Sequence, residues 1–401
     1  AEYAERYEAM WGEAPSYQAA ESTATALALQ LAIEQAGSTE MDAVRQALFD
    51  LDANTFYGPI NFDETGKNAG KPMGAIQIQD GVINVVAPAE AAVTELQYPM
   101  PPWEDRGEAM AAELVEEAMP EPVGAIVLGA AVSETGKYAR EGKDTRQGYN
   151  TWLDWINNEY GGIKVGDDRY NVEIVYYDDE GDPDTAANLV ERLITEDEVD
   201  FLLGPYSSGL TMSTSAIAEK YGMIMVEGNG ASESIFERGF QNIFAVLTPA
   251  GNYTQSALKS LADKGAKSVV IAYEDTAFPT SVGQCAEKWA AEYGMEVLGV
   301  ETYPVDVPDV TAIMTKFRDL DPDVFVGGGH FNDALLFVRA SEELGFSPDA
   351  MVITVGPSNP EFPAEVGNSA NYIIGPTQWE ASMSWEDEYF GTAAEYAERY
   401  E

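Results

Sequence analysis

From residue 123 onward, short aliphatic and β-branched runs alternate with longer stretches of helical period. VGAIVLGAAV leads to the helical TRQGYNTWLDWINNEYGG, NVEIVYYDD to TAANLVERLITED, DFLLGP to LTMSTSAIAEKYG, and then MIMVEG follows. A second set reads KSVVIAYED, TSVGQCAEKWAAEYG, EVLGVETY, VTAIMTKFRDLD, DVFVGGG, NDALLFVRASEELG and AMVITVG. Apolar runs of strand length separated by helices of ~10–15 residues predict parallel sheets covered on both faces. Two such sets predict an α/β fold of two doubly wound lobes. Ahead of them, GAIQIQDGVINVVAP reads as strand, turn, strand.

The chain also repeats itself. Residues 1–8 and 394–401 are the same octapeptide, AEYAERYE. The second copy closes a helical pattern, EDEYFGTAAEYAERYE, which would run straight on into AMWGEAPSYQAAESTATALALQLAIEQAG. Two readings fit: a circular permutant with an overlap, or one period of a tandem array. A helix duplicated for its own sake is the bland alternative. If the order is circular, the internal start falls in residues 99–122, PMPPWEDRGEAMAAELVEEAMPEP, with Pro at both ends and an acidic helical stretch between, which suits a linker.

At 401 residues the chain is comfortable as two domains. Its 22 Lys and Arg against 69 Asp and Glu give a net charge of −47, which repels nucleic acid and anionic membranes. Such charge suggests disorder, but 11% aromatic residues and regular strand patterns argue against it. A saline habitat would screen the self-repulsion. The single Cys285 and single His330 exclude disulfides within the chain, Cys/His zinc clusters and most nucleophilic triads. Cys285, in GQCAEKWAAEY, reads as a small packed side chain. No apolar run approaches the ~20 residues needed to span a bilayer. The acidic, amphipathic start AEYAERYEAMWGEAP is not a signal peptide, so any signal peptide is expected outside this chain.

In doubly wound folds the ligand lies at the C-terminal ends of the strands, which here are SETGKYAREG, GPYSSGLT, EGNGASES, EDTAFPTS, GGGHFND and TVGPSNP. They hold hydroxyls, glycines and aromatics but no catalytic set. Ser207 and Ser208 open a helix: either one is a plain N-cap, or Ser208 and the helix N–H groups hold a ligand carboxylate. EGNGASES opens a second element with exposed N–H donors but is no phosphate-binding fingerprint. The acidic YYDDEGDPDTAAN fails calcium-loop spacing, with Pro183 where glycine is needed, and reads better as a strand end with a helix cap at Asp182 or Asp184. His330 reads as a pocket wall rather than a base. Tyr138, Tyr206, Phe278 and Trp379 read equally as core or as the lining of an apolar ligand cleft.

Four stretches carry a family resemblance: SETGKYAREGKDTRQGYNTWLDWINNEYGGI, YDDEGDPDTAANLVERLI, VDFLLGPYSSGLTMSTSAIAEKYGMIMVEGNGASESIF and FYGPINFDETGKNAGKPMGAIQIQDG. They resemble the type I periplasmic substrate-binding proteins of branched-chain amino-acid ABC transporters, the leucine/isoleucine/valine-binding group. Members begin near the VGAIVLG strand, so the resemblance implies a circularly permuted order here. It implies a carboxylate-holding Ser208 beside Ser207 and Tyr206. It implies a head-group loop at Asn229, Gly230 and Ala231, where leucine binders carry threonine at the Ala231 position and Ser232 is adjacent. Tyr138 matches the lid tyrosine, and the aromatic wall of the second lobe falls on Phe278 and the loop at His330. A second aromatic of that wall is Gly329 here. The acid that pairs with a ligand ammonium would fall near Thr354 to Gly356, where there is none unless Glu227 or Glu134 substitutes. Trp379 completes the candidate set.

The resemblance implies one lobe from 123–246, 376–401 and 1–62, and a second from 247–375 and 63–98, joined by three crossings that act as a hinge. The function it implies is an extracytoplasmic receptor closing over a small carboxylate, an amino acid or analogue, for an ABC permease. No catalytic residue, cofactor or metal is expected. The alternative is a structural cell-surface protein on the same fold, forming a homo-polymer or domain-swapped assembly, to which the octapeptide repeat and the acidic linker point. A hydrolase centred on Cys285 or His330 lacks a visible partner for either. From the charge alone, the melting temperature is expected to rise strongly from low to molar NaCl; a flat salt response would remove the saline-habitat reading.

Overall fold

The computed structural model describes residues 7, 10–12, 14–79, 82–87, 92, 94–100, 122–359, 361–380, 383, 385–387, 389 and 391–392. Most of the expected linker at 99–122, and the octapeptides apart from Tyr7, lie outside these residues.

In chain order, helices α1 (Tyr17–Ala36) and α2 (Met41–Phe49) precede a hairpin of β1 (Asp52–Thr55) and β2 (Gly58–Asn61). The antiparallel pair β3 (Gly74–Gln79) and β4 (Val82–Ala87) follows. Next come β5 (Gly124–Val132), α3 (Ala139–Asn158), β6 (Ile163–Val165), β7 (Asp168–Asp178), α4 (Pro183–Thr195), β8 (Phe201–Leu203), α5 (Ser208–Tyr221), β9 (Met225–Glu227) and β10 (Ile243–Ala245). The rest is α6 (Gln255–Asp263), β11 (Ser268–Glu274), α7 (Ala277–Glu292), β12 (Glu296–Tyr303), α8 (Thr311–Leu320), β13 (Val324–Gly328), α9 (Phe331–Leu344), β14 (Ala350–Ile353), α10 (Phe362–Val366) and β15 (Ile374–Thr377), then the short β16 (Glu386–Asp387) and β17 (Gly391–Thr392).

The chain divides into two compact units. Among described residues, the first takes those up to Lys71, from 122 to Pro249 and from Trp385 on; the second takes Pro72 to 100 and Ala250 to 383. The crossings thus fall nine, three and nine residues later than the expected 62/63, 246/247 and 375/376. Residues 63–71 stay with the first unit because Lys67 bridges Ala245 and the Asn68 carboxamide donates to the carbonyls of Pro59 and Val246. Residues 376–380 stay with the second because Pro376 and Thr377 pair with Ala75 and Gly74.

The first unit has a six-stranded sheet in the order β10-β9-β8-β5-β7-β6, parallel except for β6. Helix α1 is rich in small residues and buried on nearly every side, as a helix inside a core must be. It packs on α3, where a Cβ at Gly148 would come within 2.2 Å of the Ala19 carbonyl, so only glycine allows this approach. Thr23 donates to the Gly148 carbonyl at 2.6 Å, and Trp152 Nε1 to Gln30 Oε1 at 3.0 Å. Gly37 ends α1 in the left-handed region (φ 59°). The continuous helix expected to lead into α1 is broken. Gly12 takes φ 74°, and Ser16 caps α1 by accepting from the Ala19 N–H. The expected helix at 386–392 is likewise replaced by the antiparallel β16–β17 pairing.

The second unit has a seven-stranded sheet in the order β12-β11-β13-β14-β15-β3-β4. Its β12 to β15 part is parallel, and β3 and β4 extend it antiparallel. The Gln77 carboxamide ties this edge together, donating to the Gln97 and Tyr372 carbonyls and accepting from the Gln97 N–H.

At the end of the first unit nearest the crossings stands a buried lysine, Lys71. Its ammonium lies 3.6 Å from the Tyr57 ring centre and 5.3 Å from that of Trp385, and its carbonyl accepts from the Thr248 hydroxyl at 3.1 Å. Burial lowers its pKa, while the Glu21 carboxyl, itself held by Tyr57 Oη at 3.1 Å, works the other way. Burial raises Glu21 well above the usual carboxylate range. Glu227, at the end of β9, is also buried, and desolvation pushes it up to about 8.

Lys71→Met is expected to leave Glu21 buried without its counter-charge and to cost about 3 kcal/mol in denaturant melts. Adding Glu21→Gln should recover much of that loss. Glu227 is protonated in the fold and ionised in the unfolded chain between its ordinary value and about pH 8, so its contribution to stability falls as pH rises through that window. Glu227→Gln should make the stability–pH slope there shallower, and an unchanged slope would show that Glu227 does not titrate in this way.

Candidate functional site

In the first unit the candidates converge at the C-terminal ends of β5, β8 and β9. Tyr138, Tyr206, Ser207, Ser208, Asn229, Ala231 and Ser232 are all buried. The Tyr138 and Tyr206 rings meet edge to face at 5.5 Å and pack with Ala186 and Leu210. Asp182, expected as a cap, does cap α4 by accepting from the Thr185 N–H at 2.8 Å.

Ser207 and Ser208 have different fates. Ser207 occupies the N-cap of α5 with extended backbone, yet its hydroxyl caps nothing: Oγ is buried and has no hydrogen-bond partner. A buried hydroxyl left unsatisfied costs ~1–3 kcal/mol, so it marks a place where a partner is wanted. It stands where the α5 N–H groups and helix dipole favour an anion. Ser208 Oγ accepts from the Ser232 N–H at 3.0 Å and thereby fixes the neighbouring loop.

That loop is held from within. Glu227 Oε2 accepts from the N–H groups of Asn229 (2.8 Å) and Gly230 (2.5 Å). Those two donors therefore serve the protein's own carboxyl. What remains open in the loop is Asn229 Oδ1, buried without a partner, while its Nδ2 donates to Ser22 Oγ on α1 at 2.9 Å. Gly230 has no room for a Cβ, which would meet Thr211 Oγ1 at 2.6 Å. Neither alternative acid extends freely. Glu227 turns into its own loop, and Glu134 forms an ion pair with Arg146.

In the second unit, Phe278 packs edge to face on Tyr253 at 5.1 Å and lies 5.7 Å from the His330 ring. The His330 N–H donates to Asp333 Oδ2 at 2.7 Å at the start of α9. Thr354 serves as a brace. Its hydroxyl accepts from the Gly329 N–H at 3.1 Å and faces the Gly329 carbonyl at 3.2 Å, so it holds the loop after β13 in place. Trp379 is buried, with its backbone N–H donating to Thr377 Oγ1 at 3.3 Å.

Three further residues stand beside these candidates. Gln378 Nε2 donates to Tyr253 Oη at 3.0 Å, and Ser358 Oγ is buried without a partner, as Ser207 is. Just before Ser358, Val355 takes φ 60°, a left-handed conformation that β-branched residues adopt only when their surroundings impose it. Ser358 was visible in the TVGPSNP loop, whereas nothing in the local pattern around Tyr253 or Gln378 marks them. Among the described residues no cluster of three His, Cys, Asp or Glu side chains is arranged to hold a metal ion. No described helix is long and apolar enough to cross a membrane.

Comparisons with known proteins bear on the family and the fold. A Leu/Ile/Val-binding protein homolog of Brucella melitensis is 24% identical over 238 residues, covering 57% of this chain and 58% of that protein. A second such homolog, from Brucella suis, is 25% identical over 255 residues, covering 61% and 62%. The chain thus matches about three-fifths of the length of these relatives. A branched-chain amino acid transporter substrate binding protein from Streptococcus pneumoniae, solved with isoleucine, superposes with a TM-score of 0.53 at 24% identity over 61% of this chain and 68% of that one. An ABC transporter solute binding protein from R. palustris, solved with 4-hydroxybenzoate, gives 0.54 at 25% identity over 61% and 65%. The fold is the type I periplasmic binding protein fold. Since the family described as Periplasmic binding protein matches residues 125–401, well over half of the sequence, the chain belongs to that family.

Proposed function

We propose that the protein is an extracytoplasmic solute-binding receptor that captures a small carboxylate and delivers it to an ABC permease. The observation that carries this reading is the buried, unpartnered Ser207 hydroxyl at the start of α5, set where the helix favours an anion. Ser208, Asn229 and Ser232 shape that position, Tyr138 and Tyr206 wall it, and Ala231 and Gly230 keep it narrow. The second unit's own candidates are Phe278, His330, Trp379 and Ser358, with Thr354 bracing the loop after β13.

The ligands named for the two solved neighbours, isoleucine and 4-hydroxybenzoate, have a carboxylate in common. Residues 354–359 read TVGPSN and offer no acid for a ligand ammonium, while Tyr253 and Phe278 add ring surface. Both features favour a planar acid over an α-amino acid. The same proposal includes a circularly permuted chain order: residues 17–61 and 74–87, early in the chain, complete units whose sheets are otherwise drawn from residues 124–377.

A thermal-shift panel of isoleucine, 4-hydroxybenzoate, benzamide and small aliphatic acids tests the reading. A true ligand at 100 times its Kd stabilises the fold by about 2.7 kcal/mol. Ser207→Ala should weaken a carboxylate hit about tenfold or more while leaving the unliganded melting temperature unchanged or slightly higher, since the hydroxyl has no bond to lose. Silence across the panel, or a hit that survives Ser207→Ala combined with Ser208→Ala, would overturn it.

A further inference from the structure

The acidic string YYDDEGDPDTAAN lacks calcium-loop spacing, but its carboxyls have a definite target. β5 and β7 run side by side to a common end, where Val132 pairs with Asp178. The chain leaving β5 is the loop 133–138 that carries Tyr138, and the chain leaving β7 turns through 179–182 into α4. Asp178 Oδ1 accepts from the N–H groups of Glu134 at 2.9 Å and Thr135 at 3.2 Å, and Oδ2 accepts from the Thr135 hydroxyl at 2.8 Å. The same Oδ1 accepts from the Glu180 N–H at 2.9 Å, which curls the turn onto the loop. Asp179 is buried, and its Oδ1 accepts from the Ser133 hydroxyl at 2.6 Å and the Gly181 N–H at 2.9 Å. Two adjacent carboxyls thus hold three consecutive residues of the neighbouring loop, 133, 134 and 135. Glu134 is tied in turn to α3 by its ion pair with Arg146.

The two segments also interlock through their backbones. Gly136 takes φ 80°, and a Cβ there would collide with the Glu180 carbonyl oxygen, so only glycine lets the segments meet. A Cβ on Gly181 would lie 3.5 Å from Tyr138 Cδ2, which sets the turn directly against the ring. Past the turn, Asp182 caps α4, and Ala186 of that helix packs with Tyr138, Tyr206 and Leu210. The loop that carries Tyr138, one side of its ring and part of its packing are therefore all set by residues 178–186.

We propose that Asp178 and Asp179 are positioning residues for the solute site. They hold the 133–138 loop so that the Tyr138 ring stays against Tyr206, and solute affinity depends on that hold although neither carboxyl touches the solute. The inference rests on the receptor reading above, in which Tyr138 and Tyr206 wall the Ser207 position. A wall held in place beforehand adds no ordering cost on binding, so loosening it lowers affinity.

The test uses the full chain and two independent readouts. In the first, without solute, the tyrosines are replaced by 3-fluorotyrosine, and the Tyr138 fluorine resonance is assigned by its loss in Tyr138→Phe. Asp178→Ala should shift and broaden that resonance. Asp178→Asn, which keeps one accepting oxygen, should fall between Asp178→Ala and the parent, and Ser133→Ala, which removes the donor to Asp179, should act in the same direction. Asp200→Ala, which takes a carboxylate from the Val127 N–H toward the other end of β5, should leave the resonance in place. In the second readout, 4-hydroxybenzoate and isoleucine are titrated by calorimetry. Asp178→Ala should weaken binding about tenfold in the parent, yet less than about twofold in a Tyr138→Leu background. An unmoved Tyr138 resonance in Asp178→Ala would overturn the proposal whether or not either probe binds. An affinity loss of equal size in both backgrounds would overturn it too, by making Asp178 a general structural support. Absence of binding by both probes to the parent would count against the receptor reading and the affinity claim built on it, while the fluorine signal alone still decides whether the turn positions Tyr138.

Discussion

A lysine ammonium taken out of water must be given back most of its solvation by the protein, and that requirement organises the first unit. Around the Lys71 amine stand Glu21 on α1, Tyr57 between β1 and β2, and Trp385, while Thr248 after β10 holds the Lys71 backbone carbonyl. Lys71, Thr248 and Trp385 stand beside the three positions where the chain passes to the other unit. Any shift of one of these segments changes the environment of the same buried charge. A buried amine that is costly to leave without partners thereby links the starting points of the three passages within this unit.

The same economy of buried polar groups bears on the candidate site. Most interior hydroxyls are used: Thr23, Thr25, Thr151 and Ser22 donate to backbone carbonyls, and Thr354 braces a loop. Ser207, Asn229 Oδ1 and Ser358 are not used, and neither, away from the site, are the Gln18 carboxamide and the Ser341 hydroxyl. Glu227 supplies a contrast, because its carboxyl satisfies two loop N–H groups that would otherwise have been the obvious head-group donors. The protein has spent those donors on building the loop, so the proposed recognition would rest on hydroxyls and on the helix terminus.

Much of the architecture was legible because it depends on local pattern. Apolar runs at 124–132, 268–274 and 324–328 became central strands, and Asp182 became the cap its position suggested. The failures were also local. Gly12 and Ser16 contain a break-and-cap signal that an apparently continuous helical period concealed, and Glu386 to Thr392 pairs as strands despite its helical period. At the site, the loop Tyr206–Ser208 was readable, but which serine keeps a spare hydroxyl was not. That is decided by the Ser232 N–H, 24 residues away. Lys71 reads in sequence as an ordinary basic residue in a Gly-Lys-Pro turn, and only the groups that close over it make it central.

Helix α1 is buried almost entirely, yet the helix it packs against, α3, begins more than a hundred residues later, and β3 pairs with a strand some three hundred residues downstream. During synthesis the ribosome releases α1 long before its partner exists. The α1–α3 and β3–β15 contacts join segments far apart in the chain, so they close late, and such distant closures are slow to form.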